Sequence, residues 1–117
     1  MEEKLIRDVF FYKNYYRTFF ETLKPDAKNK FIWTLRLITT LDKVPIKYLK
    51  NLEGTKGLFE IRVEVGSDIY RVFCFFDKGK LIILLNGFQK KSQKTPKNEI
   101  DQAEKLKKLY FDEKENK

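Results

Sequence analysis

The chain reads as an α+β domain with elements in the order β-α-α-β-β-β-α, a small antiparallel sheet with an N-terminal helical hairpin and a C-terminal helix. Three observations predict this. Apolar residues recur at spacings of three and four in two adjacent N-terminal segments, they alternate with polar ones after Gly57, and short Gly-containing turns separate the alternating runs. At 117 residues, with eleven Phe, six Tyr and one Trp, the chain suits one domain, 1–117, with its own core.

The first strand is placed at residues 5–12, "LIRDVFFY", on its β-branched and aromatic content. Tyr16, Phe19, Phe20 and Leu23 then share a helical face, so a helix spans 15–23. Pro25 suits the first turn of a second helix, 26–41, whose inward residues are Phe31, Leu35 and Ile38. Residues 42–57 form a connector, broken by Pro45, Gly54 and Gly57. In "LFEIRVEV" the residues Phe59, Ile61, Val63 and Val65 point one way and Glu60, Arg62 and Glu64 the other, a half-buried strand. "GSD" and "DKG" turn the chain into "IYRVFCFF" and then "LIILLNGF". The last is apolar on both faces through Leu85, as a central strand would be. From Pro96 onward, Ile100, Ala103, Leu106 or Lys107, and Tyr110 form the stripe of a closing helix, with Thr95 or Asn98 as its cap.

Composition narrows the chemistry. Lys plus Arg number 25 against 17 Asp plus Glu, a net charge of +8 that favours a polyanionic partner. The absence of histidine removes the commonest general base and metal ligand. A single cysteine, Cys74 within an apolar run, excludes an internal disulfide and any CxxC site and reads as a core residue. No apolar stretch approaches the roughly 18 residues of a membrane span, and the N-terminus lacks a signal-peptide layout. A cytoplasmic protein without metal, cofactor or membrane partner is expected.

The positive charges fall in two groups. Lys90, Lys91 and Lys94 follow the last strand, while Lys43, Lys47, Lys50 and Lys56 lie in the connector. Between them, Arg62 and Arg71 sit on regular strands. A lone arginine in a strand as apolar as "IYRVFCFF" needs either a carboxylate, Glu60 or Glu64, or an exposed face turned to a ligand phosphate. A groove floored by Arg62 and Arg71 and framed by the two lysine groups is the functional reading; a solvated basic surface is the bland one. Tyr48, Tyr70 and Phe88 lie among these charges and are candidates for stacking on unpaired bases, or else rim aromatics over the core.

Residues 57–103 carry a longer pattern: a "GLFEIR" strand, "YRV", the turn "FFDKG", and the closing block "LLNGFQKKSQKTPKNEIDQA". In these features the chain resembles the HigB branch of the RelE/ParE toxin superfamily of bacterial toxin–antitoxin systems. That resemblance implies the same fold and a cytoplasmic toxin paired with a helix-turn-helix, HigA-like antitoxin. It also implies metal-independent cleavage of mRNA on the ribosome. By position it places Arg62, Arg71, Lys90, Lys91 and Lys94 on the family's active surface; Arg62, Arg71, Lys91 and Lys94 are taken as the catalytic set, and Lys90 and Asn86, with Lys47, Lys50, Lys56, Tyr70 and Phe88 from the groove reading, as RNA-binding. Many relatives have His where this chain has Asn86, and Asn cannot exchange a proton near neutral pH. Proton transfer is therefore assigned to Lys91 or Lys94, whose cationic neighbours would help hold a neutral amine. Two alternatives share the scaffold: a ParE-like inhibitor of DNA gyrase that cuts no RNA, and a degenerate toxin that only binds antitoxin or RNA.

Overall fold

The computed structural model describes residues 4–91 and 94–116. Its elements are β1 (Asp8–Phe11), α1 (Tyr15–Glu21), α2 (Pro25–Thr40), β2 (Leu49–Asn51), β3 (Phe59–Val65), β4 (Asp68–Asp77), β5 (Leu81–Lys90) and α3 (Lys97–Glu115). The fold is α+β, with three helices on one five-stranded sheet of order β1-β5-β4-β3-β2.

Two expectations need correction. The sheet is mixed, because β1 pairs parallel with β5 while every other pairing is antiparallel. The physical reason is the helical hairpin, which carries the chain from one sheet edge at β1 to the other at β2. The connector also contains the short edge strand β2, too brief to show alternation. β5 is an interior strand, flanked by β1 and β4, as its apolar run predicts, and β4 beside it is buried on both faces along most of its length.

Each face of the sheet packs a separate core. On one, Tyr16, Phe31 and Ile38 of the hairpin meet Ile61, Val63, Tyr70, Val72, Cys74, Ile82 and Leu84. On the other, Ala103 and Leu106 of α3 meet Phe73, Phe75, Ile83, Leu85 and Phe88. Fully burying side chains such as Phe31 and Phe73 stabilises the fold by roughly 1.5–3 kcal/mol each.

The helix ends are closed by different means. α2 begins with Pro25 in its first turn and Asp26 beside it, and its last carbonyls receive the Arg7 guanidinium, which donates to Ile38, Leu41 and Asp42. α3 has Pro96 at its N-cap and no side-chain cap. Neither proposed cap operates: the Thr95 hydroxyl lies 3.5 Å from Glu60 instead, and Asn98 falls inside the helix.

One irregularity positions the site. The β4–β5 register shifts by one residue between Val72 and Cys74, so Leu85 and Asn86 together oppose Phe73. Before this bulge the odd residues of β5, Ile83 and Leu85, face α3; after it the even ones, Phe88 and Lys90, do. Gly87, now on the hairpin side, has no room for a side chain, since a Cβ there would lie 2.5 Å from the Phe19 ring. The bulge thus turns Lys90 toward the face that carries the arginines.

Candidate nucleic-acid interface

Cross-strand pairing builds the site as a small lattice on the α3 side of the sheet. One row runs Lys50, Glu60, Phe73; the next Arg62, Arg71, Phe88; the third Glu64, Ile69, Lys90. α3 packs on Phe73 and Phe88, whereas Lys50 at the sheet edge and Glu64 are exposed and Ile69 and Lys90 are half-buried. The uncovered end is a groove of about 880 Å³ lined by Arg62, Glu64, Ser67, Ile69, Arg71, Gln89, Lys90 and Lys91.

The strand positions set like charges directly opposite each other, Arg62 against Arg71, an arrangement that is destabilising without a counter-ion. Glu60, 4% exposed, supplies that counter-ion: its carboxylate lies 3.7 Å from the Nε of each arginine. The expected ion pair therefore exists, and Glu60 rather than Glu64 makes it. It leaves the site unbalanced. Among the described residues neither Nε has a hydrogen-bond partner, and the Arg71 side chain, 3% exposed, donates to its neighbour's carbonyl, Tyr70, at 3.0 Å. A guanidinium with donors to spare can bind an anion that has two or more oxygens.

The electrostatics agree. Burial, then the Arg62 charge, hold the Arg71 guanidinium below its ordinary affinity for a proton, with Glu60 and Glu64 opposing. Lys90 is lowered in the same sense, first by burial and next by Arg71.

The sequence-based site residues divide as follows. Arg62, Arg71, Lys90 and Lys91 meet at the groove, and Lys50, opposite Glu60, stands on the same face. Lys47 lies round the sheet edge, in a smaller cavity that shares Arg62 and Glu64 with the groove. Lys94 is exposed, just before α3, while Ser92 and Gln93 of the same block lie outside the described residues. Lys56 does not join them: its carbonyl accepts from Lys107, near the middle of α3, at the far end of β3.

Three assigned contacts are corrected by burial. Tyr70 is 5% exposed and faces the hairpin, its ring edge-on to Phe19 and Phe31, so it offers no surface to a base in the groove. Phe88 shares the face of the arginines but is 8% exposed and packed against Phe73, a core role. Asn86 is covered by the first turn of α3, where its amide donates to Glu99 at 3.3 Å.

Glu60 sits in the "E-x-R" spacing, which on a strand puts acid and arginine on one face, so its pairing was legible. The partial burial of Lys90 was not, because it depends on a bulge that no local spacing announces. Cys74 is fully buried, and burial raises its thiol far above the range of a reactive cysteine. Among the described residues, no cluster of His, Cys, Asp or Glu could hold a metal, and no helix is long and apolar enough to cross a membrane.

The family described as phage derived protein Gp49-like (DUF891) matches residues 18–108. That span runs from within α1 into α3 and contains the whole groove, so the chain belongs to this family, which is toxin-like and part of the RelE/HigB superfamily. No curated protein gives a significant match.

Proposed function

We propose that this Gp49-like chain is the toxin of a type II toxin–antitoxin system of the HigB kind, a metal-independent endoribonuclease that cuts mRNA on the ribosome. The observation that carries the reading is the unmatched cationic cluster: the buried Arg71 and the half-buried Arg62, both with Nε atoms that lack a hydrogen-bond partner, beside a lysine whose ammonium is disfavoured.

The chemistry needs no histidine. The ribose 2′-hydroxyl attacks the adjacent phosphorus, its proton passes to Lys90 in those molecules whose amine is unprotonated, and the P–O5′ bond breaks. Arg62 and Arg71 stabilise the charge on the non-bridging oxygens, and the Lys91 ammonium returns a proton to the leaving 5′-oxygen. The products are a 2′,3′-cyclic phosphate and a 5′-hydroxyl. This moves the base role from Lys91 or Lys94 to Lys90 and leaves Lys94 to electrostatic support. The open groove does little to fix an RNA strand, so orientation by the ribosome, worth up to roughly 7–11 kcal/mol, supplies much of the acceleration.

A helix-turn-helix antitoxin, encoded beside the toxin, completes the proposal; an acidic segment laid in the groove would neutralise it. Both act in the cytoplasm. In-vitro translation of a defined message, with RNA 5′ ends mapped with and without ribosomes, tests the reading. Cuts within ribosome-occupied codons and none on free RNA are expected. An uncut message with undisturbed translation contradicts it.

A further inference from the structure

The only tryptophan of the chain, Trp33, stands on α2 with 43% of its surface exposed, beside Ile32 at 58%. Its indole meets the Tyr48 ring edge-on, with centroids 5.4 Å apart and planes at 77°. Two ammonium groups attend the pair: Lys30 Nζ is 4.5 Å from the indole centroid, and Lys47 Nζ is 5.7 Å from that of Tyr48. Lys30, Lys47 and Tyr48 line a cavity of about 110 Å³ together with Arg62 and Glu64, the two residues it shares with the groove.

The edge of the sheet explains the continuity. β2 pairs with β3 only as far as Leu49 opposite Ile61, and Arg62 N–H still donates to the Tyr48 carbonyl at 2.9 Å. Beyond that point no strand flanks Val63–Val65 on this side. The groove at Arg62 and the cavity beside Tyr48 thus adjoin at this sheet edge through Arg62 and Glu64.

Resting on the reading of the groove as a phosphate site, we infer that Trp33 and Tyr48 form a base-stacking subsite for the nucleotide next to the phosphate held by Arg62 and Arg71. An exposed indole has a large polarisable face, and stacking accepts any base. The interleaved lysines give the backbone a cationic path, which a merely apolar docking patch would not need. Glu64 divides the two subsites. A carboxylate there repels phosphate, so the residue it faces must present donors, as the exocyclic amino group of cytosine does. The subsite therefore prefers cytosine over uracil.

Because Trp33 is the only indole, its fluorescence reports on the subsite directly. Three oligomers of equal length and charge are titrated at low salt, oligocytidine, oligouridine and an abasic strand, with binding followed independently by anisotropy of an end label. The base-bearing strands quench Trp33, the abasic strand binds without quenching, and oligocytidine binds more tightly than oligouridine. Trp33→Ala removes about tenfold in affinity for the base-bearing strands alone, and Trp33→Phe retains most of it. Glu64→Gln removes the preference for cytosine. Since Trp33 lies outside the core, neither of its variants threatens the fold.

Strands that bind through Arg62 and Arg71 without changing Trp33 fluorescence overturn the stacking subsite and leave the groove reading intact. Strands that do not bind at all overturn both. Equal quenching by the abasic strand removes stacking as the cause, and stronger quenching by a polyglutamate peptide assigns the surface to a protein partner instead.

Discussion

The two ends of the sheet face under α3 bury charge in opposite ways. At the closed end, Asp77 accepts hydrogen bonds from the Tyr110 hydroxyl and from Lys114, both at 2.7 Å, and Tyr12 donates to Glu113 nearby. Those partners hold the Asp77 carboxyl below its ordinary range, while burial and the Asp77 contact push Tyr110 up to about 12. At the open end, one carboxylate, Glu60, lies 3.7 Å from the Nε of both Arg62 and Arg71, and among the described residues neither Nε has a hydrogen-bond partner. A matched network holds a helix down; the unmatched one is the place proposed for the phosphate. The difference teaches that a charge excess marks a site only where the fold has withheld its partners.

The comparison is sharpened first at Lys90. If it is the base, Lys90→Arg keeps the charge but loses cleavage by roughly 10²–10⁴-fold. The wild-type rate rises with pH through the lowered Lys90 value, and the variant loses that rise because arginine stays protonated. The sign for stability is the same: a lysine held below its ordinary 10.5 makes the fold gain stability as pH climbs from its lowered value toward 10.5. Glu60→Gln comes next. It strands the buried Arg71 guanidinium and the half-buried Arg62 beside it and costs about 3–5 kcal/mol, read by urea melts. Added inorganic phosphate restores part of the loss if the groove binds anions.

Arg71→Ala costs roughly 10²–10³-fold in cleavage with a much smaller change in stability, because Glu60 keeps Arg62 as a partner. Asp77→Asn reverses that pattern. It lowers stability by about 1.5–3 kcal/mol and leaves cleavage unchanged. The Asp77 contribution is complete above the ordinary carboxylate value of 3.8 and is lost as pH falls through its lower folded value, so acid melts of wild type and variant converge there.

How much of this was legible depends on range. Helical spacing placed α1, α2 and α3 within a few residues, because each face has its own core to bury. Alternation phased β3 correctly and put Glu60, Arg62 and Glu64 on one face. The parallel pairing of β1 with β5 was not legible, since nothing local encodes which edge a four-residue strand joins. Nor was the bulge at Leu85–Asn86. Without it Lys90 would face the hairpin, and with it the chain after the bulge changes face. Tyr70 misled because it neighbours Arg71 in sequence, and adjacent strand residues point to opposite faces.

The measurement that bears most directly on the account is the yield of ribosome-dependent cuts in one message, mapped side by side for wild type, Arg71→Ala and Asp77→Asn, each confirmed folded by thermal melting. Loss of cuts with a near-native melt for Arg71→Ala, and full cutting with a lowered melt for Asp77→Asn, is the predicted result. Wild-type cutting by a folded Arg71→Ala protein would contradict it, and would leave the unmatched arginines without a role in the reaction.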